Sequence, residues 1–416
     1  MQRWRVPRIV STLVAFAVLV VLAACGGGRM VPAPVGAPQS PFAGSRTPLP
    51  PPGPVPPANG GPVKVALLVP LSGPNAELGK AMLEAAQLAL FATASERLTL
   101  IPRDTAGSDG AAGAARSALT EGAQLILGPL LAAEVEAVKP IAQGGKVNVI
   151  GFSTATQLAG GDVFLMGFLP RQEVVREVSF ARDRGVSRFA ALAPNSQYGQ
   201  LVVDALREAA PAAGGSVGKI ERFDPRGGDV AAAIRRLLGG GPGSGGATGG
   251  SAPAGNASFD ALLLPEGGAQ LKQIARQLKA AGLDAAHVHL LGSGLWDDSS
   301  IGGEPALYGG WFAASPPEPR REFDSRFEKT YGHPAARLAS LAFDAAALAA
   351  VLARRGGPEP FSQEAILNPN GFTGVDGLFR FTPEGTVQRG LAVLEVGPDG
   401  NRVVGPAPQN FQDFGY

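Results

Sequence analysis

Residues 63–69 form a nearly continuous apolar run that contains β-branched side chains, a composition typical of a strand buried on both faces of a parallel sheet. The segment from Pro70 to Gly73 interrupts this run. From Glu77 onward, apolar side chains recur at helical spacing while charged side chains fall mostly on the opposite face. The pattern predicts a strand, a tight turn and a helix, which together open an α/β domain.

The same alternation continues through most of the chain. Further strands are predicted at 98–102, 123–127, 147–152, 189–193, 218–223, 261–264 and 289–291. Helical periodicity is found at 109–119, 131–141, 172–184, 199–210, 229–238 and 269–281. Strands that alternate with helices across short turns indicate parallel, doubly wound sheets. Each half of the series has enough βα units for its own sheet, so we predict two similar α/β lobes.

The last part of the chain does not begin a third domain. Helices are predicted at 321–331 and 335–352, and strands at 379–381 and 391–396. These elements would complete the two lobes, with the chain crossing between them three times. We therefore predict a first lobe of residues 63–167 and 311–370, a second lobe of residues 168–310 and 371–405, and a C-terminal tail of residues 406–416.

Three segments differ in composition from the folded body. Arg3, Arg5 and Arg8 precede an apolar run that ends at Cys25, a pattern typical of a secretory signal. Residues 26–62 contain 12 prolines in 37 residues and are predicted to form an extended tether without a core. Residues 239–257 are rich in Gly and are predicted to be a flexible insertion in the second lobe.

Charge and cysteine content exclude several classes of function. The 416 residues carry 36 Lys and Arg against 35 Asp and Glu, so no basic surface for nucleic acid is indicated. Cys25 is the single cysteine, which excludes a disulfide framework within one chain.

Enzymatic motifs are also absent from the sequence. Gly73 and Gly79 are separated by five residues, where a nucleotide-binding loop requires four, and Ala81 stands where a Ser or Thr would bind magnesium. The Gly-x-Ser-x-Gly spacing at Gly214, Ser216 and Gly218 lies between a predicted helix and a predicted strand, not in the strand-to-helix turn of a nucleophile elbow. The three histidines, His287, His289 and His333, lack further ligands for a metal site. We predict a protein that is not an enzyme and holds no cofactor or metal.

Several segments resemble the type I periplasmic binding-protein family, in its leucine/isoleucine/valine-binding branch. They are VALLVPLSGPNAELGKAMLEAAQLAL, ILGPL, VIGFST, LAPNSQYGQ, YGHPAARLASLAFDAAALA and FRFTPEGTVQRGLAVLEV. The resemblance implies the type I periplasmic binding fold, in which a ligand sits between two lobes and a hinge closes over it.

Within this family, PLSGPNAELGKAMLEAAQLALF, LIPRDTAG and EGAQLILGPLLAAEVEAVKPIA look closest to the bacterial penicillin-binding protein activators. The residues Leu22-Ala23-Ala24-Cys25 resemble a lipobox, which implies lipid attachment at Cys25. Gly26, where sorting rules for lipoproteins would place Asp for the inner membrane, favours the outer membrane. The resemblance therefore implies a periplasmic lipoprotein that binds a peptidoglycan synthase and activates it.

The resemblance also implies candidate residues for the cleft. They are Ser72, Pro74, Leu131, Ser153, Thr154, Tyr198 and Glu266. The family's amino-acid binders place acids for the ligand's ammonium after the first crossing and after the strand near Leu291. Here the sequence has Leu169-Pro170-Arg171 and Gly292-Ser293-Gly294-Leu295, so those acids are expected to be missing. This favours the activator over two alternatives: the substrate-binding protein of an ABC transporter for branched-chain amino acids or amides, and a sensor or scaffold of another envelope system.

Overall fold

A computed structural model describes residues 62–93, 97–239, 258–284 and 286–412. All of these residues belong to one compact unit of the chain. The predicted signal with Cys25, almost all of the tether and residues 240–257 of the insertion lie outside the described residues. No helix of the described ranges is long and apolar enough to span a bilayer.

The described chain contains strands and helices in the alternation that its periodicity predicts. The strands are β1 Val63–Val69, β2 Leu98–Asp104, β3 Leu125–Leu127, β4 Asn148–Gly151, β5 Val163–Leu165, β6 Arg188–Pro194, β7 Ser216–Phe223, β8 Ala261–Leu263, β9 His289–Leu291, β10 Trp311–Ala314, β11 Phe372–Gly374, β12 Gly377–Phe381, β13 Val387–Arg389, β14 Ala392–Glu395 and β15 Arg402–Gly405. The helices are α1 Ala76–Thr93, α2 Gly110–Thr120, α3 Ala132–Gly145, α4 Pro170–Arg182, α5 Gln197–Ala212, α6 Val230–Leu237, α7 Gly268–Ala280, α8 Pro317–Tyr331, α9 Ala339–Arg355 and α10 Gln363–Ile366.

The first lobe is built on a parallel sheet with the strand order β2-β1-β3-β4-β5. Strand β1 is central, and its alternate side chains enter two different cores. Val65 and Leu67 pack on one face, and Ala66 and Leu68 pack on the other. Helices cover both faces, so an apolar residue is favourable at every position of β1. This explains the continuous apolar run from which the fold was predicted.

The second lobe contains a seven-stranded sheet with the order β15-β14-β10-β9-β8-β6-β7. Strands β6 to β10 are parallel, whereas β14 and β15 pair antiparallel at one edge. Two parallel-sheet α/β lobes confirm the predicted fold class. The antiparallel edge was not predicted, since periodicity carries no information on strand direction.

Two boundaries between the lobes differ from the prediction. Residues 311–314 were assigned to the first lobe without a predicted strand, but they form β10, which pairs with β9 and β14 in the second sheet. Strands β11 to β13 were assigned to the second lobe but form a separate antiparallel sheet. Phe379, Phe381 and Val387 of this small sheet pack in the core of the first lobe, and Thr386 forms a bridge with Leu165 of β5.

Three segments carry the chain between the lobes, as predicted. Residues 166–169 connect β5 to α4, residues 315–316 connect β10 to α8, and residues 390–391 connect β13 to β14. Helices α8 and α9 return to the first lobe, where Phe323 and Phe327 pack against Ala81 and Ala85 of α1. Together these segments form the three-crossing hinge.

Candidate ligand cleft

The cleft lies where the carboxyl edges of the two sheets face each other. Strands β5 and β10 both run directly into a crossing segment. All carboxyl ends of a parallel sheet meet at one edge, and ligands of α/β folds bind beyond that edge. The turns that follow β1, β3 and β4 in the first lobe, and β6, β8 and β9 in the second, therefore border the cleft.

Ser72 and Pro74 occupy the turn after β1, where Ser72 is half-buried and Pro74 is exposed. The Ser72 side chain makes no capping hydrogen bond to the short helical turn that follows it. Instead, the Asp104 carboxylate accepts from the backbone N–H of Leu71 at 2.8 Å and of Ser72 at 3.3 Å. Burial acts to raise the pKa of Asp104, but hydrogen bonds from Ser72 and from the backbone outweigh it and lower the pKa. Asp104 thus fixes this edge of the cleft.

Leu131, Ser153 and Thr154 follow β3 and β4. The side chain of Leu131 is 43% exposed, and its backbone N–H donates to the Glu134 carboxylate at 3.2 Å. Ser153 is buried, and its hydroxyl accepts from the N–H of Ala155 at 3.2 Å. Thr154 is exposed. Of the two candidate hydroxyl groups here, that of Thr154 is the more accessible to a ligand.

Tyr198 and Glu266 stand at the edge of the second lobe. The Tyr198 hydroxyl donates to Ser293 Oγ at 2.8 Å, and burial, with Glu173 nearby, raises the pKa of Tyr198. Glu266 is half-buried and accepts from the N–H of Gly267 at 3.1 Å. Burial raises the pKa of Glu266. The structure thus brings Tyr198 to the turn after β9, where Ser293 is its partner.

Glu173 is the acid that the sequence analysis missed. It lies on α4, is 7% exposed, and accepts from the N–H of Gly294 at 2.8 Å. Burial raises the pKa of Glu173 to about 7, although Gly294 and Arg337 act in the opposite direction. The family's amino-acid binders place such acids in the turns at 169–171 and 292–295, and the sequence predicted that both would be missing here. A carboxylate does reach the second of these turns, but it comes from α4.

Glu177 lies one helical turn beyond Glu173 and is almost completely buried. Its carboxyl group accepts from the N–H of Ala313 at 2.8 Å, and burial raises its pKa well above the usual value. Both acids share the buried stripe of α4 with Val174, Val178 and Ala181. Two Glu residues at i and i+4 on an apolar helix face are the signal from which this cluster could have been predicted.

Two further ring side chains have structural roles. Trp296 lies in the core of the second lobe, and its indole N–H donates to the Leu264 carbonyl at 3.2 Å. His289 stacks on Trp311 with 4.2 Å between ring centroids. Within the described ranges, no group of three or more His, Cys, Asp or Glu side chains could hold a metal ion.

A separate cavity of about 620 Å³ lies between α4, α5 and the β12–β13 hairpin. Arg171, Arg182 and Thr386 are among its lining residues, and none of the seven candidate cleft residues lines it. This cavity is therefore distinct from the candidate site.

A family model described as periplasmic binding protein matches residues 62–401. The chain belongs to the periplasmic binding protein family. This confirms the family expected from the sequence and implies a periplasmic location and the binding of ligands, generally without catalysis. Membership does not extend to the finer activator assignment, which remains a prediction.

Solved structures share the fold at low identity. A branched-chain amino acid ABC transporter periplasmic ligand-binding protein from Burkholderia xenovorans is 19% identical, with a TM-score of 0.65 over 83% of this chain and 96% of that chain. A leucine-binding protein from Thermotoga maritima is 21% identical, with a TM-score of 0.56 over 82% and 97%. A Rhodopseudomonas palustris solute-binding protein in complex with 3,4-dihydroxybenzoic acid is 19% identical, with a TM-score of 0.58 over 84% and 97%.

A curated relative, an uncharacterized protein from Rickettsia prowazekii, is 21% identical over 175 residues. The match covers 42% of this chain and 47% of that protein, so it spans about half of the relative's length.

Proposed function

We propose that this chain is the substrate-binding protein of an ABC transporter and that its cleft binds a small solute with an amino group, a branched-chain amino acid or its amide. The observation that carries the proposal is the Glu173 carboxylate beside Gly294, Ser293 and Tyr198. An ammonium group has three donors and binds best to a carboxylate with little competing solvent. Glu173 meets this requirement because it is almost completely removed from water.

The first lobe offers the complementary groups. Helix α3 begins at this edge, and the N-terminus of a helix favours a ligand carboxylate. The exposed Thr154, which follows β4 at the same sheet edge, offers its hydroxyl to a ligand. Leu131 and Leu295 are 43% and 44% exposed at the two edges and would contact an apolar ligand side chain. The B. xenovorans and T. maritima proteins, named for branched-chain amino acids and leucine, support the same class of solute.

Calorimetric titration of the full chain with leucine, leucinamide and 4-methylpentanoate tests the proposal. The last compound has the carbon skeleton and carboxylate of leucine but no amino group. We expect leucine to bind and 4-methylpentanoate to bind at least tenfold more weakly, a loss of about 1.4 kcal/mol. Equal binding of the two compounds would refute the role of the ammonium group, and the absence of binding by all three would refute this solute class.

A pair of variants assigns the effect to Glu173. Glu173→Gln should weaken leucine binding about tenfold or more, since a neutral amide replaces the carboxylate. Glu208→Gln is the matched control in the same lobe, because Glu208 is exposed on α5 and pairs with Arg171 at 2.9 Å. Equal leucine affinities of the two variants would show that Glu173 does not contact the ligand.

The activator of a penicillin-binding protein is the second candidate function, and the exposed Leu131 favours it. The resemblance would place a Ser in this turn, whereas this chain has Leu131, which is exposed, as is Leu295 of the other lobe. In this case the two edges would contact a peptidoglycan synthase. A purified synthase ectodomain should then bind the full chain, and Leu131→Asp should weaken binding. A transpeptidase assay would show whether binding activates the synthase.

Membrane attachment through Cys25, at the outer membrane, is proposed for either function. Radiolabelled palmitate should be incorporated into the wild-type chain but not into Cys25→Ser. Fractionation of the two membranes then tests the location. Incorporation by both chains would refute lipid attachment at this residue.

A further inference from the structure

One arginine contacts both lobes and the hinge. Arg337 Nε lies 3.2 Å from Asp297 Oδ2, which follows β9 in the second lobe. Arg337 Nη1 lies 3.4 Å from Asp376 Oδ1, between β11 and β12 on the first lobe. The guanidinium carbon lies 4.1 Å from the centre of the Phe168 ring in the first crossing segment. Arg337 is therefore placed to respond to the relative position of the lobes.

The first-lobe end of this contact is held firmly. The Arg337 carbonyl accepts from Arg320 Nη1 at 3.0 Å and from Ser340 Oγ at 3.2 Å. Asp376 is completely buried, and although burial acts to raise its pKa, the cations Arg337, Arg389 and Arg320 lower it. Asp376 thus remains ionised and retains Arg337. Separation of the lobes would therefore break the contact with Asp297 and keep the contact with Asp376.

Glu173 lies within the electrostatic reach of the same contact. Its charged and titratable neighbours are Arg337 from the segment before α9, Asp297 after β9, Tyr198 of α5 and Glu177 of α4. Arg337 favours the ionised form of Glu173, and Asp297 opposes it. Opening of the cleft would move Arg337 away and leave Asp297 beside Glu173. A larger fraction of Glu173 would then be protonated.

We propose that Arg337 is a positioning residue that couples closure of the cleft to the charge state of Glu173, so that the closed protein is the form with a carboxylate ready for a cationic group. The ligand part of this inference rests on the proposed function, whereas the closure part does not. The favoured ligand is a small solute with an ammonium group, because only a cation gains from the ionised Glu173.

Asp297→Asn and Asp298→Asn form a matched pair that tests closure without any ligand. Asp298 adjoins Asp297, but its carboxylate accepts from the N–H and the hydroxyl of Ser300, both at 2.8 Å. Spin labels would be attached at Glu77→Cys and Ala269→Cys, both exposed, in the full chain with Cys25→Ser. Electron paramagnetic resonance would then measure the distance between the two lobes. We expect Asp297→Asn to shift the distribution to longer distances and Asp298→Asn to leave it unchanged. An unchanged distribution for Asp297→Asn, or equal shifts for both, would overturn the proposal.

The pH dependence of leucine affinity tests the coupling to Glu173. Arg337→Gln should move the midpoint of this dependence to higher pH, whereas Arg321→Gln, on the exposed side of α8 and 3.4 Å from Glu318, should not move it. A purely structural role for Arg337 would lower the affinity equally at every pH, and that result would refute the coupling. If leucine does not bind at all, the proposed solute fails, while the label distances still decide whether Arg337 and Asp297 hold the lobes together.

Discussion

At the scale of one residue, the raised pKa of Glu173 predicts how leucine affinity depends on pH. Burial raises the pKa of Glu173 to about 7, and a ligand ammonium binds to the ionised form only. Leucine affinity should therefore fall by about tenfold per pH unit below 7 and level off above it. In Glu173→Gln the affinity should be low and independent of pH. Titrations between about pH 5 and 8 measure both curves, and a flat wild-type curve would contradict the role of Glu173.

Asp260 provides a second prediction at this scale, for stability. Its carboxylate accepts from the backbone N–H of Ser187 at 3.1 Å, from that of Arg188 at 2.9 Å, and from the Arg188 guanidinium. The Arg188 hydrogen bond is the main cause of its lowered pKa, which burial opposes. Asp260→Asn should lower the free energy of unfolding by about 1–2 kcal/mol at pH 7.

The sign of the Asp260 effect follows from its lowered pKa. The stabilisation is complete above the unfolded pKa of about 3.9 and is lost as pH falls through the lower folded pKa. Urea unfolding at neutral and acidic pH measures this difference. Asp204→Asn is the control, because the Asp204 side chain on α5 is 49% exposed and pairs with Arg207 at 3.2 Å. Equal losses in the two variants would show that the backbone N–H groups of Ser187 and Arg188 contribute nothing.

Individual site residues differed in how far the sequence could predict them. Tyr198 and Glu266 follow strand ends and could be placed at a sheet edge from periodicity alone. Glu173 and Glu177 lie inside α4, where a Glu is ordinarily read as solvated. Arg337 acts through Asp297, which is 40 positions away in sequence, so only the folded chain reveals the pair.

At the scale of elements, periodicity predicted nearly all of the longer helices and strands. Each of them buries one face, and the spacing of the apolar residues on that face can be recognised within the element itself. It could not predict which sheet a strand joins. Strand β10 pairs with β14, where Trp311 lies opposite Glu395, and this pairing bridges most of the last quarter of the chain. The separate β11–β13 sheet likewise depends on contacts with the core of the first lobe.

Because α1 packs closely against the end of β1, we predict that a side chain at Gly79 destabilises the fold. A Cβ at this position would lie 1.8 Å from the backbone oxygen of Pro70, so Gly79→Ala must displace the helix or the strand end. We expect a loss of about 2–4 kcal/mol in unfolding free energy. Gly144→Ala in α3 is the control, since nothing lies within 4 Å of its added Cβ. That variant should be neutral or stabilising by up to about 1 kcal/mol, and equal losses would refute the steric argument.

At the scale of the whole molecule, a polar network around the buried Arg389 connects the crossing segments. Arg389, at the end of β13, donates to the Met166 carbonyl of the first crossing at 2.7 Å. Its backbone N–H donates to Gln172 Oε1 at 3.0 Å, and the Gln172 amide donates to the Val387 carbonyl. Asp344 lies beside this network, and burial, with Asp376 nearby, raises its pKa to about 7. The crossing segments of the hinge are thus hydrogen-bonded to one another through Arg389 and Gln172.

A ligand held between the lobes should stabilise the molecule as a whole. At a leucine concentration of about 100 times Kd, binding adds about 2.7 kcal/mol to the free energy of unfolding. For a chain of this size, we expect Tm to rise by about 4 °C, and Glu173→Gln, with a Kd about tenfold higher, to show about half of that rise at the same concentration. Differential scanning calorimetry of the full chain measures both. If leucine leaves Tm unchanged while a synthase ectodomain raises it, the solute-binding function would be refuted and the activator function supported, because the stabilising partner would then be a protein.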